Sequence, residues 1–163
     1  MPARRFVFSL AILCLPIALL NAQTFSLLHS FTNDAAGPNA DLILSHNVLY
    51  GTAASGSTNS GAVFSLGLDG TGYGVRHSFS VTHTNSAGIF TNFDGAAPED
   101  PLVISNDTLY GTTSSGGTNG TGTLFSLTTN GAFAARYAAH PSKNGSTEPS
   151  AGLVSSAKAQ SSP

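Results

Sequence analysis

Five histidines are the residues of this chain best suited to bind a metal or to move a proton. His29 and His77 each begin a His-Ser-Phe triplet, whereas His46, His83 and His140 lie in polar, turn-like segments. Zinc sites built on short motifs show close spacings such as His-Glu-x-x-His, and no such spacing occurs here. We therefore interpret the two paired histidines as structural positions and the other three as solvated side chains.

Carboxylates form the second candidate set. Asp34 and Asp94 open the turn before an apolar segment, and Glu99 and Asp100 follow the second of them. A short carboxylate at such a place commonly bonds nearby backbone N–H groups, so we expect an Asx-turn at Asp34 and at Asp94. Two alternatives stay open: the four oxygen-rich side chains could converge on Ca²⁺, or Glu99 and Asp100 could supply the acid/base pair of glycoside cleavage.

Nucleophiles and phosphate-binding loops are not indicated. The glycine-rich loops Ser55–Gly61 and Ser114–Gly122 lack the Gly-Lys-Ser/Thr ending of a phosphate loop and open no helical pattern. No Gly-x-Ser-x-Gly elbow marks a serine nucleophile. We expect Tyr50 and Tyr110 to pack between structural units rather than to stack on sugars. The sequence thus predicts no catalytic residue, no cofactor site and no metal site.

These candidates recur because the chain contains a tandem repeat, which must be recognised before any motif is interpreted. Leu49–Leu66 aligns with Leu109–Leu127, and both segments begin Leu-Tyr-Gly-Thr. FSLLHSF at 25–31 matches YGVRHSF at 73–79, and FAARYAA at 133–139 is a weaker third copy. We therefore divide the chain into repeat 1 at 23–70, repeat 2 at 71–131, a partial repeat 3 at 132–154 and a polar tail at 155–163.

Short apolar or alternating segments predict four strands in each repeat. In repeat 1 they are Phe25–Phe31, Leu42–Leu44, Val48–Thr52 and Ala62–Leu66. Four antiparallel strands in roughly 50 to 60 residues is the size of one β-propeller blade. We expect an all-β, propeller-like fold with two full four-stranded blades and a partial third. Because propellers need about four to eight blades, this number would not close a ring alone.

One stretch, Val81–Asn92, has no counterpart in the other repeat. Function in repeat proteins often sits in such insertions, because the scaffold does not require them. This insertion carries His83, Asn85 and the apolar pair Ile89 and Phe90. It is therefore where we expect a ligand to bind, if the chain has one.

The repeat resembles the GloVer tandem repeat, named for Gloeobacter and Verrucomicrobia, of exported bacterial proteins. The family unit runs as a Phe-containing strand, Asp-Gly-Ala, a Pro, an apolar strand, Leu-Tyr-Gly-Thr-Thr, Gly-Gly and Gly-Thr-Val-Phe. Repeat 2 follows this order at Asp94–Ala96, Pro98, Leu109–Thr113, Gly116–Gly117 and Gly122–Phe125. The resemblance covers Phe25 to Val154 and implies export and a propeller-like fold, without implying a particular activity.

The first residues predict a secretory signal peptide at 1–22. Arg4 and Arg5 precede an apolar run from Phe6 to Leu20, and Ala22 supplies the small residue before the cleavage point. The run is shorter than the ~20 residues that a spanning helix needs, so we expect no membrane span in the mature chain. Such a peptide would direct export to the periplasm, the cell surface or the medium, with cleavage near Ala22. Cleavage would also remove Cys14, the only cysteine, and with it any disulfide.

Charge limits the partners. Charged residues are 9% of the chain, with six basic and eight acidic side chains, which excludes a nucleic-acid binder that must neutralise phosphates. We favour a non-catalytic exported repeat module with an interaction or structural role at the cell surface or envelope. The alternatives are a propeller-type enzyme acting on extracellular glycans and a truncated repeat protein without independent function. Open sheet edges would in addition favour self-association.

Overall fold

The computed structural model describes residues 25–31, 35–140 and 153. Across these ranges the chain forms strands and no helix, which confirms the predicted all-β class. The strands are β1 (Ile43–Ser45), β2 (Val48–Ala53), β3 (Ala62–Gly67), β4 (Gly74–Ser78), β5 (His83–Thr84), β6 (Phe90–Thr91), β7 (Val103–Ser105), β8 (Thr108–Thr113), β9 (Thr123–Thr128) and β10 (Phe133–Ala138). The predicted signal peptide at 1–22, Asp34, the polar tail at 155–163 and most of partial repeat 3 lie outside the described residues.

A search of the described residues for a helix long and apolar enough to cross a bilayer finds none.

The strands build two antiparallel sheets of the same layout. Sheet 1 has the order β1-β2-β3-β4, and sheet 2 has the order β7-β8-β9-β10. Strands β5 and β6 pair with each other as a separate hairpin. Each large sheet is therefore a simple meander, and each is open, since its first and last strands do not pair.

The fourth strand of sheet 1 comes from the next repeat. Strand β4 pairs with β3, although its residues open repeat 2. The matching segment of repeat 1, residues 25–31, was predicted as a strand and lies outside any strand of the described structure. The two segments have the same pattern of residues, and residues 73–79 follow directly on β3, with which β4 forms a hairpin.

Two-residue turns of one type join the first two strands of each sheet. His46 and Asn47 have φ of 49° and 62°, and Asn106 and Asp107 have φ of 47° and 58°. Two consecutive positive φ values define the type I′ turn, whose twist matches that of the flanking strands. Asn and Asp tolerate this conformation better than most residues, and this explains why polar residues interrupt both apolar segments at this point.

The two large sheets stack face to face. We call the side of each sheet that carries Tyr50 or Tyr110 its tyrosine face, and the side that carries Phe64 or Phe125 its phenylalanine face. The tyrosine face of sheet 1 contributes Tyr50 and Val63 to one apolar core, with Ile43 and Val48 packed against it. The phenylalanine face of sheet 2 contributes Leu109, Phe125 and Leu127 to the same core, together with Phe79 and Leu102. Tyr50 is 5% exposed, as expected of a residue between units.

The glycine of each Leu-Tyr-Gly-Thr core makes room for a phenylalanine ring. Gly51 pairs with Phe64 across β2 and β3, and Gly111 pairs with Phe125 across β8 and β9. A Cβ added at Gly51 would lie 2.6 Å from the Phe64 ring, and one at Gly111 would lie 2.5 Å from the Phe125 ring. The repeated Gly and the repeated Phe are therefore one packing unit.

Candidate functional site

The half-buried His77 contacts the buried carboxylate of Asp94. His77 Nε2 lies 3.1 Å from Asp94 Oδ2, and the backbone N–H and the hydroxyl of Ser80 each donate to that oxygen at 3.0 Å. Asp94 is 8% exposed. Because the Ser80 hydroxyl donates to the carboxylate, the imidazole is not placed between serine and aspartate, as nucleophilic catalysis requires.

Aromatic rings enclose the imidazole of His77. It stacks on Phe133 with ring centroids 3.7 Å apart and meets Phe79 edge-on at 4.8 Å. Burial lowers the pKa of His77, and the hydrogen bond and charge of Asp94 oppose that shift only in part. His29 makes the equivalent pair of contacts, stacking on Tyr73 at 3.8 Å and meeting Phe31 edge-on at 5.0 Å. The same contact in both repeats is what a structural histidine would show.

Asp94 does not form the expected Asx-turn. Its carboxylate reaches back fourteen residues to Ser80, while the local turn is formed by Asn92, whose Oδ1 accepts from the Gly95 N–H at 2.9 Å. The expectation was wrong because the chain reverses after β4 and brings the Ser80 N–H to the carboxylate. The equivalent Asp34 lies outside the described residues.

The other acidic candidates do not converge. Asp100 Oδ2 accepts from the Thr112 hydroxyl at 2.9 Å, and Glu99 is exposed. Of the residues at 25–31, 35–140 and 153, no three His, Cys, Asp or Glu side chains are grouped so that they could hold a metal ion. His46 is exposed, with its Nδ1 3.7 Å from an Asp107 oxygen, and the exposed His140 lies beside Asn119.

The insertion lines a cleft. This insertion cleft has a volume of about 370 Å³. Hairpin β5–β6 supplies one side of it, and the chain on either side of the hairpin supplies more. Its lining residues are Ser80, Val81, His83, Thr91, Asn92, Phe93 and Thr118. Among them His83 is the one that can carry charge, and it is exposed.

Large apolar side chains gather around the insertion cleft. Phe93 is 86% exposed, and Val81 is 51% exposed. On the hairpin itself, Phe90 and Ile89 are also exposed. A soluble protein rarely leaves such a group of apolar side chains in water unless something binds there. Phe93 lies one residue beyond the predicted insertion. Its place in the cleft could have been expected from the sequence, because the equivalent residue of repeat 1 is the polar Asn33.

Asn92 fixes the base of the hairpin. Its Oδ1 accepts from the N–H groups of Gly95 and Gly117, at 2.9 and 2.7 Å. Its Nδ2 donates to the carbonyls of Ser80 and Gly95, at 2.8 and 2.7 Å. At the tip, Asn85 Oδ1 accepts from two further backbone N–H groups. Hydrogen bonds of Asn92 and Asn85 therefore hold the hairpin that forms one wall of the cleft.

Comparison with known protein families places the chain in a repeat family. A family model described as the Gloeobacter/Verrucomicrobia repeat matches residues 17–160, which include both large sheets and the hairpin. No curated protein and no solved structure matches.

Proposed function

Because the chain belongs to the Gloeobacter/Verrucomicrobia repeat family, we propose that it is a non-catalytic exported module that binds a partner at the cell surface or envelope through the insertion cleft. One observation carries this proposal. The insertion Val81–Asn92, which has no counterpart in repeat 1, lines an open cleft edged by Phe93, which is 86% exposed. The repeated Tyr50, Leu109 and Phe125, by contrast, pack one sheet on the other.

The chemistry of the cleft defines the class of ligand. Val81 and Phe93 offer apolar surface, and Thr91, Thr118 and Ser80 offer hydroxyl groups. No Lys, Arg, Asp or Glu is among the lining residues. This combination suits a neutral ligand with one apolar face, such as the sugar rings of a neutral polysaccharide, which stack their C–H groups on aromatic side chains.

The architecture that presents the cleft is, in our proposal, propeller-like. Two four-stranded meanders of equal layout stack through their faces, as neighbouring blades do. Export would follow from the predicted signal peptide at 1–22. The cleft would then meet polymers outside the cytoplasm.

A glycan-cleaving enzyme is the principal competitor. Retaining and inverting glycosidases need two carboxylates about 5–10 Å apart across the bound sugar. Glu99 and Asp100 are not among the residues that line the cleft, and Asp100 already accepts a hydrogen bond from Thr112. The observed positions thus favour binding over cleavage.

A panel of purified neutral polysaccharides, applied to a protein of residues 23–163, tests both binding by the cleft and glycan cleavage. We expect retarded migration in affinity electrophoresis with at least one polysaccharide, and we expect Phe93→Ser to abolish it. Tyr137→Ser is the matched control, because Tyr137 is 57% exposed on β10 and does not line the cleft. Retention of binding by Phe93→Ser would refute the site. Release of reducing sugars, with or without Ca²⁺, that is lost on substituting Glu99 or Asp100 would establish the enzyme instead.

A further inference from the structure

The repeat gives each apolar residue of sheet 1 a twin in sheet 2, and the twins differ in exposure. On the phenylalanine face of sheet 1, Leu42 is 51% exposed and Leu44 is 53% exposed. The twin of Leu42 is Leu102, which is 4% exposed, and the twin of Leu44 is the half-buried Ile104. Leu42 and Leu44 are therefore exposed in sheet 1 where their twins in sheet 2 are covered or half-buried. The rest of this face in sheet 1 is buried, since Phe64, Ala53 and Ala62 form a small core against which Phe31 and Tyr73 pack.

The covered twin shows what fits this surface. In sheet 2, Leu102 belongs to the core that includes Tyr50 and Val63 from the tyrosine face of sheet 1. The phenylalanine face of sheet 2 thus has a tyrosine face as its partner. The phenylalanine face of sheet 1 has the same register, with Leu44 in place of Ile104 and with Ala53 and Ala62 in place of Thr113 and Thr123. It should therefore accept the same partner.

A second tyrosine face is present on sheet 2. Tyr110 and Leu124 stand where sheet 1 has Tyr50 and Val63. Both are half-buried, and neither belongs to an apolar core formed by the described residues. Val103 on the same face occupies the position of Ile43, which packs against the inter-sheet core.

We propose that the tyrosine face of sheet 2 in one molecule docks on the phenylalanine face of sheet 1 in a second copy of the chain. The contact would repeat between molecules the stack already formed within one. Because it joins two different surfaces, it is a head-to-tail contact that builds rings or open chains.

Residues 25–31 occupy part of the docking position. His29 stacks on Tyr73 as His77 of β4 stacks on Phe133. The segment therefore lies where the fourth strand of a docked sheet, β10, would lie. Phe25 and Leu27 are 93% and 70% exposed, and the segment pairs with no strand among the described residues. Its Phe31 packs edge-on against Phe64 at 4.8 Å, so in the proposed contact a docked β10 has to displace this ring as well.

Association through faces is favoured over association through sheet edges. The outer strands β4 and β10 each have a break in register against their neighbour. Each also carries an arginine, Arg76 or Arg136, whose Nε donates to a serine of the adjacent strand at 2.7 Å. Bulges and charged residues on edge strands are features that oppose edge-to-edge pairing.

Complementation between two variants of residues 23–163 tests the proposal by sedimentation velocity. We expect Leu42→Asp and Tyr110→Asp each to weaken self-association at least tenfold, because each destroys one face. An equimolar mixture should form a one-to-one pair and nothing larger, because one intact face of each kind remains. Leu68→Asp is the matched control, since Leu68 is 43% exposed in the turn between β3 and β4 and should associate as the unaltered chain does.

Circular dichroism establishes that each variant is folded, and Tyr110→Ser replaces Tyr110→Asp if the aspartate unfolds the protein. A mixture that stays monomeric would overturn the head-to-tail contact. An unaltered chain that stays monomeric at high micromolar concentration would also overturn it. That result is expected if residues 141–163 of the same molecule cover the tyrosine face of sheet 2. Equal association of all variants would show that another surface is responsible.

Discussion

The third position of the Leu-Tyr-Gly-Thr core is glycine in both repeats, at Gly51 and Gly111, and a phenylalanine ring lies close to each. Neither has a positive φ, so the backbone would accept alanine, but the phenylalanine ring of the next strand would not. We expect Gly111→Ala to lower the free energy of unfolding by about 1–3 kcal/mol, the usual cost of overpacking a core.

Urea denaturation measures this change. Gly74→Ala is the matched control, because a Cβ added there meets no atom within 4 Å, and it should leave the free energy of unfolding nearly unchanged. Equal stability of the two variants would show that the Phe125 ring has room to move aside.

His77 gives the fold a dependence on pH with a defined sign. Burial lowers the pKa of His77 in the folded protein, so the unfolded chain takes up the proton first as pH falls. This contribution to the free energy of unfolding is therefore complete above pH about 6.5 and is lost below it, by at most about 1.4 kcal/mol per pH unit.

Urea denaturation at pH 7.5 and pH 5.5 checks this prediction. His77→Gln should reduce the loss of stability between the two conditions, because glutamine does not titrate. His83→Gln should leave the loss unchanged, because His83 is exposed. An unchanged loss in His77→Gln would mean that another group carries the pH dependence.

The elements were predicted well where the signal was local. Alternation and turn residues predict Val48–Thr52 and Ala62–Leu66, close to the observed bounds of β2 and β3, because these two strands form a hairpin within one repeat. The repeat alignment extends the same pair to β8 and β9. The pairing of β4 with sheet 1 and the Asp94–Ser80 contact depend on how distant segments meet, and periodicity carries no information about that. Phe93 was missed because the insertion was bounded by alignment at residue 92.

Asn92 is the side chain on which the shape of the insertion depends. Asn92→Ala removes four hydrogen bonds and leaves the N–H groups of Gly95 and Gly117 without this acceptor. At a net value of about 1 kcal/mol per bond, we expect a loss of roughly 2–4 kcal/mol in local stability.

Amide hydrogen exchange at Gly95 and Gly117 is the appropriate measurement, and both should exchange faster in Asn92→Ala. Asn85→Ala, at the hairpin tip, is the control and should leave these two amides protected. Unchanged protection in Asn92→Ala would show that other contacts hold the cleft wall.

At the scale of the whole molecule, the contribution of sheet stacking to stability can be measured by comparing the equivalent tyrosines of the two sheets. Tyr50 is buried in the inter-sheet core, and its twin Tyr110 is half-buried on the other sheet. We expect Tyr50→Ala to lower the melting temperature strongly, since truncation of a buried aromatic costs about 3–5 kcal/mol. Tyr110→Ala should cost much less in a dilute, unassociated sample. Equal losses in the two variants would mean that the tyrosine face of sheet 2 is covered within one molecule.

The proposed self-association depends on the apolar side chains that the two sheets leave exposed or half-buried on their outer faces. In sheet 1, Leu42 and Leu44 are exposed. In sheet 2, Tyr110 and Leu124 occupy the positions of Tyr50 and Val63, the residues that share a core with Leu102, the twin of Leu42. Sedimentation velocity of residues 23–163 over a range of micromolar concentrations tests this association most directly. A sedimentation coefficient that rises with concentration, and stops rising in Leu42→Asp, is the predicted result. A cooperative, folded monomer at every concentration would contradict it.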